Sequence, residues 1–184
     1  ERRTFRQNPP HPFDLTTLQT ESYRCFGISP KATLAIAQDL YTEGCISYPR
    51  TSSQQLPPAI GFKKIIAHLA DQSRYAPLCK QVLGQAKLEP YNGSKTDPAH
   101  PAIYPTGISP KKMDDRAHKV YDLVVKRFLS TFGEPAVRET MTVLLDANKE
   151  PFVASGTRTV ESHWHKLYEP YVRLEEVELP DVKE

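Results

Sequence analysis

No apolar run in this 184-residue chain approaches the roughly 18 residues that mark a membrane-crossing helix. The opening stretch, ERRTFRQNPPHPF, also lacks the apolar core of a secretory leader. A membrane protein is therefore not expected. Cysteine is scarce: Cys25, Cys45 and Cys79 form neither a Cys-x-x-Cys pair nor a disulfide framework. That usage suits a reducing compartment, and the expected location is the cytoplasm. Charge of one sign is scarce too, since the formal net charge is only +2. Whole-molecule charge thus says little about nucleic acid. Its distribution says more, because from Glu161 onward seven acids stand against three bases, leaving the rest of the chain more basic. There is no initiating methionine, and the chain opens on Glu-Arg-Arg and closes on Val-Lys-Glu. The expectation is a piece of a longer polypeptide.

What is present is a folding composition, 39% hydrophobic and 25% charged, with 17 prolines as punctuation. Residues 1–7 are polar around Phe5 and read as an edge strand. Pro9, Pro10 and Pro12 form a rigid connection. A helix follows, capped by Asp14 or Thr16 and closed by Gly27, with Leu15, Leu18, Ser22 and Cys25 or Phe26 inward. Ser29-Pro30 opens a second helix with a cap followed by proline at the first position. Leu34, Ile36, Ala37, Leu40 and Tyr41 give it helical spacing up to Gly44, and Cys45-Ile46-Ser47-Tyr48 then reads as a short extended piece. Helix, turn, helix, strand is the order of a winged helix-turn-helix, a pattern shared by domains that bind DNA and by many that do not. Ile60 to Leu69 and the run around Tyr75, Leu78, Val82 and Leu83 predict two more helices, with His68 at the surface or the core edge. Residues 90–110 are irregular. Asp114 and Asp115 open the clearest helix, with Val120, Leu123, Val124, Phe128 and Leu129 inward and Lys119, Lys126 and Arg127 outward.

Past Gly133-Glu134-Pro135 the period turns to alternation. Strands are expected around Thr140 to Leu144, around Phe152 to Ala154, from Thr157 to His163, and from Arg173 to Leu179, with a turn at Asp146 to Lys149. Trp164 reads as core. The fold class is mixed α and β: a mainly helical domain with a helix-turn-helix core, plus part of an antiparallel β domain. The expected divisions are 1–9 in the β domain, 10–138 helical and 139–184 in the β domain again, with the later strands pairing with residues 1–7 and with sequence outside this chain.

The stretch with chemical content is Gly44 to Gln54, GCISYPRTSSQ. A free phenol has a pKa of about 10, so about 0.1% of it is ionised at neutral pH. A tyrosine used as a nucleophile therefore needs charge stabilisation around it and its target. Arg50, two residues past Tyr48, brings a planar donor fork suited to phosphate. Thr51, Ser52 and Ser53 add hydroxyl donors. Taken alone, the segment reads equally as a strand ending in a surface turn. His100, held among prolines in Asp97-Pro98-Ala99-His100-Pro101, is suited to proton donation or to a phosphate hydrogen bond, or is a plain loop histidine. No nearby histidine or cysteine repeats at metal-ligand spacing around it.

Four blocks, in order, carry a resemblance: Pro12-Phe13-Asp14-Leu15-Thr16-Thr17-Leu18-Gln19, Ala37-Gln38-Asp39-Leu40-Tyr41, Gly44-Cys45-Ile46-Ser47-Tyr48-Pro49-Arg50-Thr51 and His100-Pro101-Ala102-Ile103-Tyr104-Pro105-Thr106. Tyr121-Asp122-Leu123 through Arg127-Phe128 is a weaker fifth. Together they resemble the type IA DNA topoisomerases, the archaeal topoisomerase I group in particular. The resemblance implies that Tyr48 attacks a DNA phosphate, that Arg50 assists at that phosphate and that His100 belongs to the surroundings. DNA contacts are expected from Arg50, Thr51 and Ser52, with Gln38 and Lys31 on the second helix. Ser52 departs from the Asp-Ser of many bacterial members, removing a charge beside the site. The resemblance implies one-strand cleavage through a 5′-phosphotyrosyl bond, with Mg²⁺ used in the full-length enzyme. The acidic Asp-x-Asp pattern that serves Mg²⁺ in the family does not occur here, so no metal ligand or cofactor site is expected in this chain. The implied partners are single-stranded or underwound duplex DNA and the missing domains of the same polypeptide, in a monomer. The piece by itself is expected not to relax supercoils. A reverse gyrase, which would add ATP use, has the same core, and a winged-helix module without chemistry remains a further alternative.

Overall fold

The longest helix organises the helical part. In the computed structural model, which describes residues 1–111 and 114–180, it spans Asp115–Ser130 (α5 in chain order). Asp114 caps it, its carboxylate accepting from the Ala117 N–H at 2.8 Å. Val120, Leu123, Val124, Phe128 and Leu129 are all buried, as their spacing requires. Around it stand α1 (Leu15–Phe26), α2 (Pro30–Thr42), α3 (Phe62–Ala70) and α4 (Ala76–Leu83).

Asp14, not Thr16, caps α1. Its carboxylate accepts from the Thr17 N–H at 2.7 Å, and the Thr17 hydroxyl answers the Asp14 N–H at 3.1 Å. Such a reciprocal box satisfies two orphan donors at once. Gly27, at φ +67°, closes α1 and leaves only Ile28 before the Ser29 cap of α2. The helix-turn-helix order therefore exists. The extended piece after it is reduced to one bridge, Ile46 against Pro105.

Three antiparallel strands form the sheet: β1 (Arg2–Gln7), β2 (Ala136–Ala147) and β3 (Glu150–Glu161), in that spatial order. The register runs from Arg2 against Met141 to Gln7 against Ala136, so the chain's first residues pair with its last third. Asn148 and Lys149, both at positive φ, turn the β2–β3 hairpin; that conformation matches the strands' right-handed twist. The strands expected at Phe152 and Thr157 are one continuous strand. The segment from Arg173 to Leu179 is not a strand, although the Val177 N–H reaches the Thr157 carbonyl at 2.9 Å.

A last short helix, α6 (Trp164–Tyr168), returns to α5. Gly133 permits this approach: a Cβ there would lie 2.5 Å from the Trp164 Cβ. Trp164 Nε1 donates to the Gln7 carbonyl at 3.0 Å, tying β1 to the same corner. Trp164, Leu167, Tyr168 and Tyr171 belong to one hydrophobic core with the helices.

Arg127 faces inward, contrary to its reading as an outward residue of α5. Its guanidinium lies 4.2 Å from the centre of the Phe13 ring and 4.6 Å from that of Tyr168. It donates to the Tyr168 hydroxyl at 3.1 Å and pairs with Glu21 at 3.4 Å. Aromatic faces and a carboxylate supply the attraction that water would otherwise give it. Lys126 is also largely covered, pairing with Asp122 at 3.2 Å.

Candidate active site

The chain leaves α2 through Gly44 (φ +74°) and is pinned at once against residues 102–106. The Ser47 N–H donates to the Tyr104 carbonyl at 2.9 Å, and the Tyr104 N–H donates to the Ser47 hydroxyl at 3.0 Å. The Thr106 N–H donates to the Cys45 carbonyl at 3.0 Å. Gly107 closes that loop onto α3: its φ is +100°, and a Cβ would lie 2.5 Å from the His68 Cβ. Four residues further on, Thr51 is pinned as well. Its carbonyl accepts from the Leu15 N–H at 3.0 Å, and its hydroxyl donates to the His100 carbonyl at 3.3 Å. Gln54 and Gln55 continue the attachment through Lys95, Gly93 and Ala102. Tyr48, Pro49 and Arg50 span the gap between two anchored ends.

Tyr48 is half-buried between two rings. Tyr41, on the last turn of α2, meets it edge-on with centroids 5.4 Å apart, and His100 lies tilted at 4.4 Å. Pro49 is buried, which turns Arg50 outward. Among the described residues the Arg50 guanidinium has neither an ion pair nor a hydrogen bond, so all five donors remain for a ligand. Ser52 is exposed, while Thr51 is buried with its hydroxyl engaged, so the two neighbours stand in different environments.

One carboxylate joins the two loops. Asp97 Oδ1 accepts from the Ala99 N–H at 2.9 Å and from the His100 N–H at 3.0 Å. Asp97 Oδ2 accepts from the Ser52 N–H at 3.4 Å and from the Ser52 hydroxyl at 3.3 Å. Those donors, Ala99 first and His100 next, hold the Asp97 carboxyl below the usual carboxylate range. Deeper in, buried Asp14 meets Lys95 at 3.2 Å and Gln54 Nε2 at 3.2 Å, locking α1 to the same segment.

Sequence reasoning named Tyr48, Arg50 and His100, and the fold brings their segments together. Gln38 sits one turn before Tyr41 on α2, half-buried. Lys31 is exposed in the first turn of α2, ten positions and thus about 15 Å of helix axis from Tyr41, so it does not share the tyrosine's surroundings. Asp97 and Tyr41 were not singled out for the site. Tyr41 shares the helical spacing of Leu34, Ile36, Ala37 and Leu40, yet it is 41% exposed. For Asp97 the available signal was an Asp-Pro pair opening a tight turn three residues before His100.

Among the described residues no three His, Cys, Asp or Glu side chains converge as a metal site. Asp114 is used as a helix cap and Asp115 pairs with Lys119 at 2.6 Å. Among the described residues, these acids do not form a set that fits Mg²⁺. No helix among the described residues is long and apolar enough to cross a membrane.

A family model described as DNA topoisomerase matches residues 1–184. With an extended tyrosine-bearing segment pinned beside a helix-turn-helix, this places the chain in the type IA DNA topoisomerase family. Within it the chain is similar to archaeal topoisomerase I. It is 51% identical to DNA topoisomerase 1 of Pyrococcus horikoshii over 96% of this chain and 26% of that protein. It is 49% identical to DNA topoisomerase 1 of Methanothermobacter thermautotrophicus over 98% of this chain and 25% of that protein. The full-length topoisomerase I of Thermotoga maritima shares the fold, with a TM-score of 0.69 at 24% identity, over all of this chain and 30% of that one. The chain spans about a quarter of the length of the curated relatives it matches.

Proposed function

We propose that this chain is the tyrosine-bearing part of a type IA topoisomerase that cuts and reseals one DNA strand. The observation that carries the reading is the placement of Tyr48: half-buried, 4.4 Å from the His100 ring and two residues from an arginine without a partner among the described residues. In the proposed step the Tyr48 oxygen attacks a backbone phosphorus. The O–P bond to tyrosine forms, the bond from phosphorus to the 3′ oxygen breaks, and the 5′ end stays on the enzyme. The phenol loses its proton and the departing 3′ oxygen gains one, so the exchange is balanced without a nucleotide cofactor. Arg50 supplies donors to the non-bridging oxygens, where charge accumulates. His100 is suited to hydrogen-bond the phosphate or to carry a proton. Resealing is the reverse attack by the 3′-hydroxyl. In this reading Mg²⁺ would be held by acids elsewhere in the parent polypeptide, and single-stranded or underwound DNA is the substrate.

The test is Tyr48→Phe in the full-length parent, with covalent adduct measured on denaturing gels and affinity measured on a single-stranded oligonucleotide. Adduct should vanish while the Kd changes by less than about threefold, because one hydroxyl among many contacts is removed. Adduct formation at the parental rate would assign the nucleophile elsewhere.

A further inference from the structure

Backbone bonds at Ser47–Tyr104, Gln54–Lys95 and Gln55–Ala102 tie the two loops that flank Tyr48, and between those ties, next to Arg50, one acidic side chain joins them near the surface. Asp97 Oδ1 gathers the N–H groups of Ala99 and His100, and Oδ2 gathers the N–H and hydroxyl of Ser52. Ser52 lies two residues after Arg50. His100 is both a recipient of the bridge and the residue whose ring rests on Tyr48. Thr51 adds a further tie, its hydroxyl donating to the His100 carbonyl. That carbonyl lies in the His100–Pro101 peptide, whereas the N–H that Asp97 holds lies in the preceding peptide, so the two ties grip His100 on opposite sides. Asp97 brings a carboxylate to within 3.3 Å of the Ser52 hydroxyl from the facing loop.

We infer that Asp97 is a positioning residue of this site: its carboxylate sets the segment carrying Arg50 against the segment carrying His100, so that both address a phosphate at Tyr48. The physical basis is that two exposed loops hold a fixed separation only where something joins them. Two hydrogen bonds from Ser52 cross to the carboxylate, and two from Ala99 and His100 fix that carboxylate within its own loop, so the join exists before a ligand is bound. Asp97 is not placed in contact with DNA, and a bare anion beside the phosphate would repel it. The four donors absorb much of that charge.

The inference rests on the reading of Tyr48 as the nucleophile, and the experiment separates the two. In the full-length parent, single-turnover cleavage at saturating single-stranded DNA is compared for Asp97→Ala, Asp97→Asn, Ser52→Ala and Tyr48→Phe, with Kd and thermal midpoint measured for each. Asp97→Ala should slow cleavage by about 10- to 100-fold, the range expected when reacting groups are misplaced by an ångström or less. Its Kd and midpoint should stay near the parental values. Asp97→Asn retains an acceptor oxygen for Ala99 and His100 and should recover most of the rate. Ser52→Ala should have a smaller effect, and none once Asp97 is already alanine. Cleavage by Asp97→Ala at the parental rate, or a loss of cleavage matched by equal losses in affinity and midpoint, overturns the inference. If Tyr48→Phe still forms adduct, the underlying reading fails whatever Asp97 does.

Discussion

Arg50 is the residue whose surroundings say most about its task. An arginine with a protein partner is held for structure, as Arg127 is, between two rings and a carboxylate. Arg50 is exposed, anchored at the backbone on both sides and without a partner among the described residues. In the proposed reaction its fork geometry would be the property in use, since two parallel N–H donors match two phosphate oxygens. Arg50→Lys in the full-length parent should therefore lower single-turnover cleavage by about 100-fold, as when one donor to a charged transition state is removed. DNA affinity should fall by less than about tenfold, because the charge remains. A lysine variant with the parental rate would show that charge alone suffices.

Among the elements, the contact of α6 with β1 carries a buried histidine. His165 of α6 is buried and hydrogen-bonds the Gln7 side chain at 3.0 Å. Burial first, and then the positive charge of Arg138, lower its pKa in the folded state, with Glu176 opposing. A histidine depressed in this way binds its proton more readily when unfolded. The sign follows: stability is full above the ordinary histidine value of about 6.5 and declines as pH falls from there toward the folded value. The thermal midpoint of the purified chain should accordingly drop between pH 7 and pH 5, and His165→Gln should flatten that part of the profile. A His165→Gln chain with the same slope would move the cause to another group. Asp97 behaves oppositely in range: its carboxyl, held low by the amides it accepts from, stays ionised through this window.

The whole molecule is held by two charged nodes around α5. Arg127 and Glu21 join α5 to α1, with Tyr168 of α6 donating its hydroxyl to Glu21 at 3.0 Å. At the other node, buried Asp122 accepts from the hydroxyls of Tyr75 and Tyr171 at 2.9 and 2.5 Å, and pairs with Arg74 and Lys126. Burial, with the Asp122 charge and hydrogen bond beside them, pushes the pKa of both phenols up. The exposed bases are spread over several faces of this frame, among them Arg50, Lys31 at the start of α2, Arg3 and Arg6 on β1 and Lys63 and Lys64 on α3, and the net charge is only +2. The purified chain should bind single-stranded DNA weakly, with affinity falling as salt rises by about 0.7 logarithmic units per decade for each phosphate contacted. It should leave supercoiled plasmid unrelaxed. Binding unchanged between low and high salt, or relaxation by the chain alone, would contradict this.

The helix boundaries were legible in the sequence because capping is local. Ser29-Pro30 and Asp114 act within four residues of themselves, so their neighbours suffice to identify them. Between Asp14 and Thr16 the residues left a choice, which the reciprocal bond with Thr17 decided. The ordered blocks around Tyr48 and His100 likewise sufficed for the family. Tertiary structure decided what depends on distant partners. Arg127 turns inward because Phe13, Glu21 and Tyr168 are there to receive it, and no helical period carries that information. Asp97 gained its place for the same reason. Its acceptors face donors on Ser52, 45 positions away, and only the folded chain brings that separation to hydrogen-bond length.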